Sequence, residues 1–82
     1  MFDKFNDLNK LRKLKSALGE EEERLEENGV EVLVSGEMKI KEIKLNDQLK
    51  AEEQAILLKD LINRAFQEVQ KKVAAKMKEG MF

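Results

Sequence analysis

The spacing of apolar residues changes twice along this 82-residue chain, and that change constrains the fold more than any other feature. Apolar side chains recur every three or four positions in residues 3–27, at every second position from residue 30, and every three or four positions again in residues 48–79. The first and third patterns predict amphipathic helices, and the second predicts β-strands. The sequence therefore predicts an α+β fold of helix, two-stranded antiparallel hairpin and helix.

The first predicted helix begins at Asp3, a suitable N-cap, and continues through a run of glutamates. Glu20–Glu23 are interpreted as a solvated helical segment rather than a metal or acid–base cluster, because consecutive helical side chains point about 100° apart and cannot converge on one ion. Asn28 and Gly29 predict the end of the helix, since glycine readily adopts the left-handed conformation that follows many helix C-termini.

The hairpin is predicted from two segments, residues 30–35 and 38–45, joined by a turn at Gly36. The first segment carries valine at alternate positions. In the second segment the apolar alternation slips by one position. A β-bulge near Lys41 and Glu42 would bring the apolar residues of this strand onto one face.

The second helix is predicted from about residue 48 to 79, after a turn and N-cap at Asn46 and Asp47. Its apolar stripe widens between Ala55 and Phe66, beyond what one neighbouring element requires. An isolated two-stranded hairpin is marginally stable, and a chain of this length with no Trp and no Tyr has little to fill a core. The sequence therefore predicts a single domain, residues 1–82, that forms a homodimer.

The predicted dimer interface combines the apolar residues of the hairpin with the wide stripe of the second helix. Its members are Val30, Val32, Val34, Ile40, Ile43, Leu58, Ile62 and Phe66.

The missing residue types exclude most enzyme chemistry. The chain has no Cys, no His and no Thr, which removes thiol nucleophiles, the usual general base, the usual zinc ligands and disulfides. We therefore predict no catalytic site, cofactor, metal or small-molecule substrate. No apolar run is long enough to span a membrane, and no signal-peptide core follows the first residues, so the predicted location is cytoplasmic.

Charge changes sign along the chain although the formal net charge is only −1. Residues 1–19 and 61–82 each carry five basic and two acidic side chains, whereas residues 20–28 carry one basic and six acidic. Basic helical arms suit contact with nucleic-acid phosphates, but lysines also serve simply to solvate exposed helices. The N-terminal basic set is Lys4, Lys10, Arg12, Lys13 and Lys15, and the C-terminal basic set is Arg64, Lys71, Lys72, Lys76 and Lys78.

Several segments, in this order, resemble a known family. Met1 and Phe2 open a Lys- and Leu-rich helix, residues 29–36 form a valine-alternating strand between two glycines, residues 40–46 form the slipped return strand, and residues 58–66 read LKDLINRAF. Together they resemble the YbaB/EbfC nucleoid-associated proteins of bacteria. The further strand that this family usually has before the Gly-Val-Glu-Val segment is not predicted here, because those residues are interpreted as helix.

This resemblance implies a tweezer-like homodimer with long helical arms that binds duplex DNA in the nucleoid with little sequence preference. The family's DNA contacts are attributed to the arms at the two chain ends, which correspond to the two basic sets. An alternative remains open, because helix–hairpin–helix order also occurs in the prefoldin type of chaperone. On that alternative the chain is a protein-interaction module, a chaperone or adaptor, without DNA binding.

Overall fold

In the computed structural model, residues 12–13 and 16–79 are described, and they form one antiparallel sheet and one long helix after a short helical segment at residues 16–20. The elements are β1 (Glu22–Glu27), β2 (Val30–Ser35), β3 (Ile40–Lys44) and α1 (Ala51–Lys78), and the sheet order is β1-β2-β3. The α+β class is confirmed. The sheet has three strands, so the predicted two-stranded hairpin is wrong, and the predicted helix start at Asp3 lies outside the described residues.

Strand β1 corrects the prediction that the first helix continues to Glu27. β1 pairs antiparallel with β2, and Glu27 lies opposite Val30, which leaves a two-residue turn at Asn28 and Gly29. Both turn residues have positive φ, 51° and 82°, as a type I′ hairpin turn requires. The Asn-Gly pair therefore connects two strands instead of ending a helix.

The glutamate-rich sequence of β1 suits a strand because its residues alternate between two environments. Leu25 packs against the apolar core, and Glu23 and Glu27 share its face of the sheet. The intrinsic preference of glutamate for helix is only a few tenths of a kcal/mol per residue, about 0.7 at most between ordinary residues. The full pairing of β1 with β2 outweighs that preference.

The core lies between β2 and α1. Leu61, Ala65 and Val69 recur every four residues on α1, and they bury against the alternate residues of β2. The β2 members of this core are Val30, Val32 and Val34, all fully buried within one chain. They were predicted to form a dimer interface, but their own helix covers them, so they offer no surface to a partner.

The predicted β-bulge in β3 is confirmed. Val32 lies opposite Ile43 and Val34 lies opposite Ile40, which leaves Lys41 as the extra residue of the strand. The bulge places both isoleucines on the same face of the sheet as α1. They remain 45% and 46% exposed, because α1 packs chiefly over β1 and β2.

The loop between β3 and α1 is held by Asn46. Its side-chain amide donates to the backbone oxygen of Asn28 at 2.7 Å, and its side-chain oxygen accepts the backbone N–H of Gln48 at 3.0 Å. The helix begins at Ala51, three residues later than predicted, and the N-cap position is occupied by Lys50 without a side-chain bond. Asn46 therefore joins the loop to the β1–β2 turn instead of capping the helix.

Candidate nucleic-acid interface

Three cations of α1 pair with the acidic segment that contains β1. Helix and strand run antiparallel, so successive cations toward the C-terminus of α1 meet successive glutamates toward the N-terminus of β1 and, last, the residue before it. The pairs, which we call the ion-pair ladder, are Arg64–Glu27 at 3.1 Å, Lys72–Glu23 at 3.0 Å and Lys76–Glu21 at 2.5 Å.

The geometry of helix and strand explains why all three pairs form together. Eight residues of α1, from Arg64 to Lys72, rise about 12 Å. Four residues of β1, from Glu27 to Glu23, span about 13 Å. The step from the second pair to the third follows the same rule. Four further residues of α1 rise about 6 Å, and two further residues of extended chain span nearly 7 Å.

The ladder is tightest at its C-terminal end. The side chains of Lys76 and Glu21 are 28% and 17% exposed. The hydrogen bond that Lys76 donates to Glu21 raises the pKa of Lys76, although partial burial opposes that shift. Arg64 and Glu27 at the other end are 45% and 47% exposed. Water and ions therefore reach the Arg64 end more easily.

Two further cations of the C-terminal basic set continue the face of Arg64 toward the C-terminus of α1, away from Lys72 and Lys76. Lys71 and Lys78 are exposed, and they are seven residues, or about 10 Å, apart along the helix. Exposed Ala74 and Ala75 lie between them, so no large side chain blocks an approaching surface. We call these two lysines the outer stripe. Lys71 has one local partner, Glu68, at 3.3 Å.

The N-terminal basic set is placed only in part. Arg12 and Lys13 are helical and exposed. Lys4, Lys10 and Lys15 were also predicted to contact DNA, and they lie outside the described residues.

The face of the sheet away from α1 is polar and largely neutralised. Arg24 of β1 pairs with Glu31 of β2 and, at 2.9 Å, with Glu42 of β3. To reach β3 its side chain passes over β2, where Leu33 is buried although it points away from α1. The charges on this face are paired with one another. Within the described residues, this face should therefore attract a phosphate backbone less strongly than the outer stripe does.

Neither a metal cluster nor a membrane span is found in the part of the chain that the structure describes. No three acidic side chains there converge as metal ligands, and no helix there is long and apolar enough to cross a membrane.

A family model of a DNA-binding class matches residues 1–82, the whole chain. That class consists of nucleoid-associated DNA-binding proteins and is not a known enzyme class. The chain belongs to the YbaB/EbfC DNA-binding family, as the resemblance of its segments indicated. No curated protein and no solved structure gave a significant match.

Sequence reasoning found the cations of α1 but missed their partners. Glu21 and Glu23 belong to the segment Glu20–Glu23 that the sequence predicts as a solvated part of the first helix, and Glu27 belongs to the predicted end of that helix. The available signal was the Asn-Gly pair directly after them, which is the strongest short-range indication of a hairpin. With the hairpin assigned, alternation places Glu23 and Glu27 on the face that receives α1.

Proposed function

We propose that this chain binds duplex DNA without reading base sequence, as a homodimer in the cytoplasmic nucleoid of a bacterium. The observation that carries the proposal is the match of the DNA-binding family over the whole chain, joined to exposed cations at both ends of the described structure. Lysine is a flexible point charge that suits phosphate contact rather than base recognition.

On α1 we assign the phosphate contacts first to the outer stripe. Lys71 and Lys78 are exposed, and among the described residues no ion pair joins either of them to a glutamate of β1. The two alanines between them allow close approach. The N-terminal basic set would extend the same contact if its helix lies beside α1. Contacts of this kind position a protein on DNA and carry no sequence information.

Homodimerisation is supported by exposed apolar residues beside the outer edge of β3. Ile40, Ile43 and Leu45 are exposed, and within the described residues no strand pairs with the outer edge of β3. An unpaired edge strand with exposed apolar residues invites association unless something covers it. Ile62 and Phe66 flank the buried stripe of α1 on the side opposite Arg64. Because Arg64 pairs with Glu27 of β1, that side is the side of β3.

We therefore assign a second copy of the chain to this side. The proposed interface retains Ile40, Ile43, Ile62 and Phe66 from the sequence prediction, with the half-buried Leu58 at its margin. A two-fold axis beside β3 would place the same residues against one another in both copies.

DNA binding is tested by mobility shift with random-sequence duplex. If a dimer neutralises about six phosphates, its affinity should fall about a thousandfold between about 50 and 200 mM salt. Lys71→Gln with Lys78→Gln should weaken binding to every sequence alike and flatten the salt dependence. The matched control is Lys39→Gln with Lys44→Gln on the sheet, which should change binding much less.

Three results would contradict this function or its site. An equal loss of DNA affinity in the sheet control would show that the sheet contacts DNA as much as the outer stripe does. A strong preference for one DNA sequence would contradict electrostatic binding to phosphates. No shift with any duplex at low salt, even at high protein concentration, would favour the protein-interaction module instead.

The dimer is tested by light scattering at tens of micromolar. We expect twice the chain mass for the unmodified protein and the chain mass for Ile43→Glu, because a charge cannot enter an apolar contact without cost. Ile56→Glu changes an isoleucine of α1 that is more exposed than Ile43, at 65% against 46%, and lies outside the proposed interface, so it should leave the dimer intact. A single-chain mass for the unmodified protein would contradict the dimer.

A further inference from the structure

We propose that Glu21, Glu23 and Glu27 compete with DNA phosphates for the cations of α1, and so set the affinity of the protein for DNA and its salt dependence. This inference rests on the DNA binding proposed above. It assigns the acidic strand a role in that binding, as an internal substitute for the phosphate backbone.

The first step is the distribution of charge on α1. Of the five cations in the C-terminal basic set, the ion-pair ladder holds three against carboxylates at 2.5 to 3.1 Å. Carboxylate and phosphate oxygens accept the same charge-assisted hydrogen bonds from ammonium and guanidinium groups. A phosphate that approaches a ladder cation therefore meets a cation that is already neutralised by a carboxylate. The negative charge of that carboxylate also repels the phosphate.

The second step is that the ladder is not needed to hold α1 on the sheet. Leu61, Ala65 and Val69 bury the helix against β2, and that apolar contact is independent of the ladder. Ion pairs as exposed as Arg64–Glu27 contribute little to stability. The cations can therefore exchange a carboxylate for a phosphate while the helix stays in place.

The third step is the gradient of exposure along the ladder. Arg64 and Glu27 are the most exposed pair and should exchange most readily, and after the exchange Arg64 keeps its second carboxylate, Asp60, at 2.9 Å. Lys76 and Glu21 are the least exposed pair and should exchange last. The ladder would then release cations one at a time as the surrounding salt falls, because screening weakens long-range attraction to DNA more than a contact at 3 Å.

The test compares two double variants that change net charge equally. Glu21→Gln with Glu23→Gln frees two ladder cations, whereas Glu52→Gln with Glu53→Gln neutralises two exposed glutamates in the first turn of α1. Each double variant changes the formal net charge from −1 to −1 + 2 = +1. Random-sequence duplex is titrated by mobility shift at several salt concentrations, after circular dichroism has shown that helix content is retained.

We expect the ladder variant to bind DNA at least about tenfold more tightly at about 50 mM salt. Its plot of log affinity against log salt should be steeper by about 1.8 per chain, because each of the two freed cations adds about 0.9 to the slope. The first-turn control should gain less affinity and keep the slope of the unmodified protein. Glu27→Gln, at the exposed end of the ladder, should give a smaller gain with least effect on folding, and it replaces the double variant if that variant fails to fold.

Equal gains in the ladder variant and the control would overturn the proposal, since net charge alone would then explain them. Weaker binding by the ladder variant would also overturn it, because the glutamates would then hold the cations in position for DNA. Either result leaves the proposed function standing, since the unmodified protein binds. Loss of binding in the unmodified protein and every variant would instead reject DNA binding itself.

Discussion

Substitution of the Asn28-Gly29 turn distinguishes a hairpin from a helix end. Asn28 lies in the left-handed region at φ 51°, where alanine is disfavoured by about 1 kcal/mol or slightly more. If these residues ended a helix, Asn28 would be in helical conformation, and alanine, a better helix former, would stabilise the protein. Asn28→Ala therefore changes stability in opposite directions for the two structures.

Gly29→Ala has a larger expected effect because two costs add. Its φ of 82° disfavours alanine by about 1–2 kcal/mol. The added Cβ would also lie 2.8 Å from the side-chain nitrogen of Asn46, which must then give up its bond to the Asn28 oxygen, at about 1 kcal/mol. The sum, about 2–3 kcal/mol, corresponds to a fall in melting temperature of roughly 10–20 °C for a domain of this size.

Thermal and urea unfolding followed by circular dichroism measures these costs, at one fixed protein concentration because dimerisation would contribute to stability. Asn46→Ala completes a double-mutant cycle with Gly29→Ala. Both changes remove the same hydrogen bond, so together they should cost about 1 kcal/mol less than the sum of the two. A stabilising Asn28→Ala, or strictly additive costs in the cycle, would refute the turn geometry.

Leu61→Ala removes a core side chain that is 1% exposed and should cost about 2–5 kcal/mol in unfolding free energy. Ile56→Ala on the same helix, where the side chain is 65% exposed, should change it by less than about 0.5 kcal/mol, and similar costs at both sites would contradict the described packing. Val32→Asp should cost several kcal/mol by urea unfolding, and a melting temperature that hardly moves would show that β2 is not buried. The pKa of Lys76 is raised by its bond to Glu21, so the stabilisation from that pair is complete below the ordinary lysine value of 10.5 and is lost as pH rises through the folded-state pKa. Unfolding curves of the unmodified protein and Lys76→Met should therefore converge at alkaline pH, and a gap that persists there would contradict the ion pair.

The sequence by itself determined the α+β class, β2, the bulge in β3 and the long C-terminal helix within three residues of its start. These features depend on local patterns, namely period-two alternation with β-branched residues and an apolar period of three to four. The family was also evident from the order of its segments, and the comparison confirmed it. The cations of the candidate interface could be named from charge alone.

Only the tertiary structure decided what the acidic segment does. Glutamates favour helix so weakly that pairing with a neighbouring strand reverses the preference, and apart from the Asn-Gly pair no local pattern indicates that pairing. Alternation likewise shows that Val30, Val32 and Val34 are buried, but not whether a partner chain or their own helix covers them. Which cations of α1 pair with carboxylates depends on the match of helix and strand spacing along the ion-pair ladder. The sequence does not reveal it, because that contact joins residues almost 40 to more than 50 positions apart in the chain.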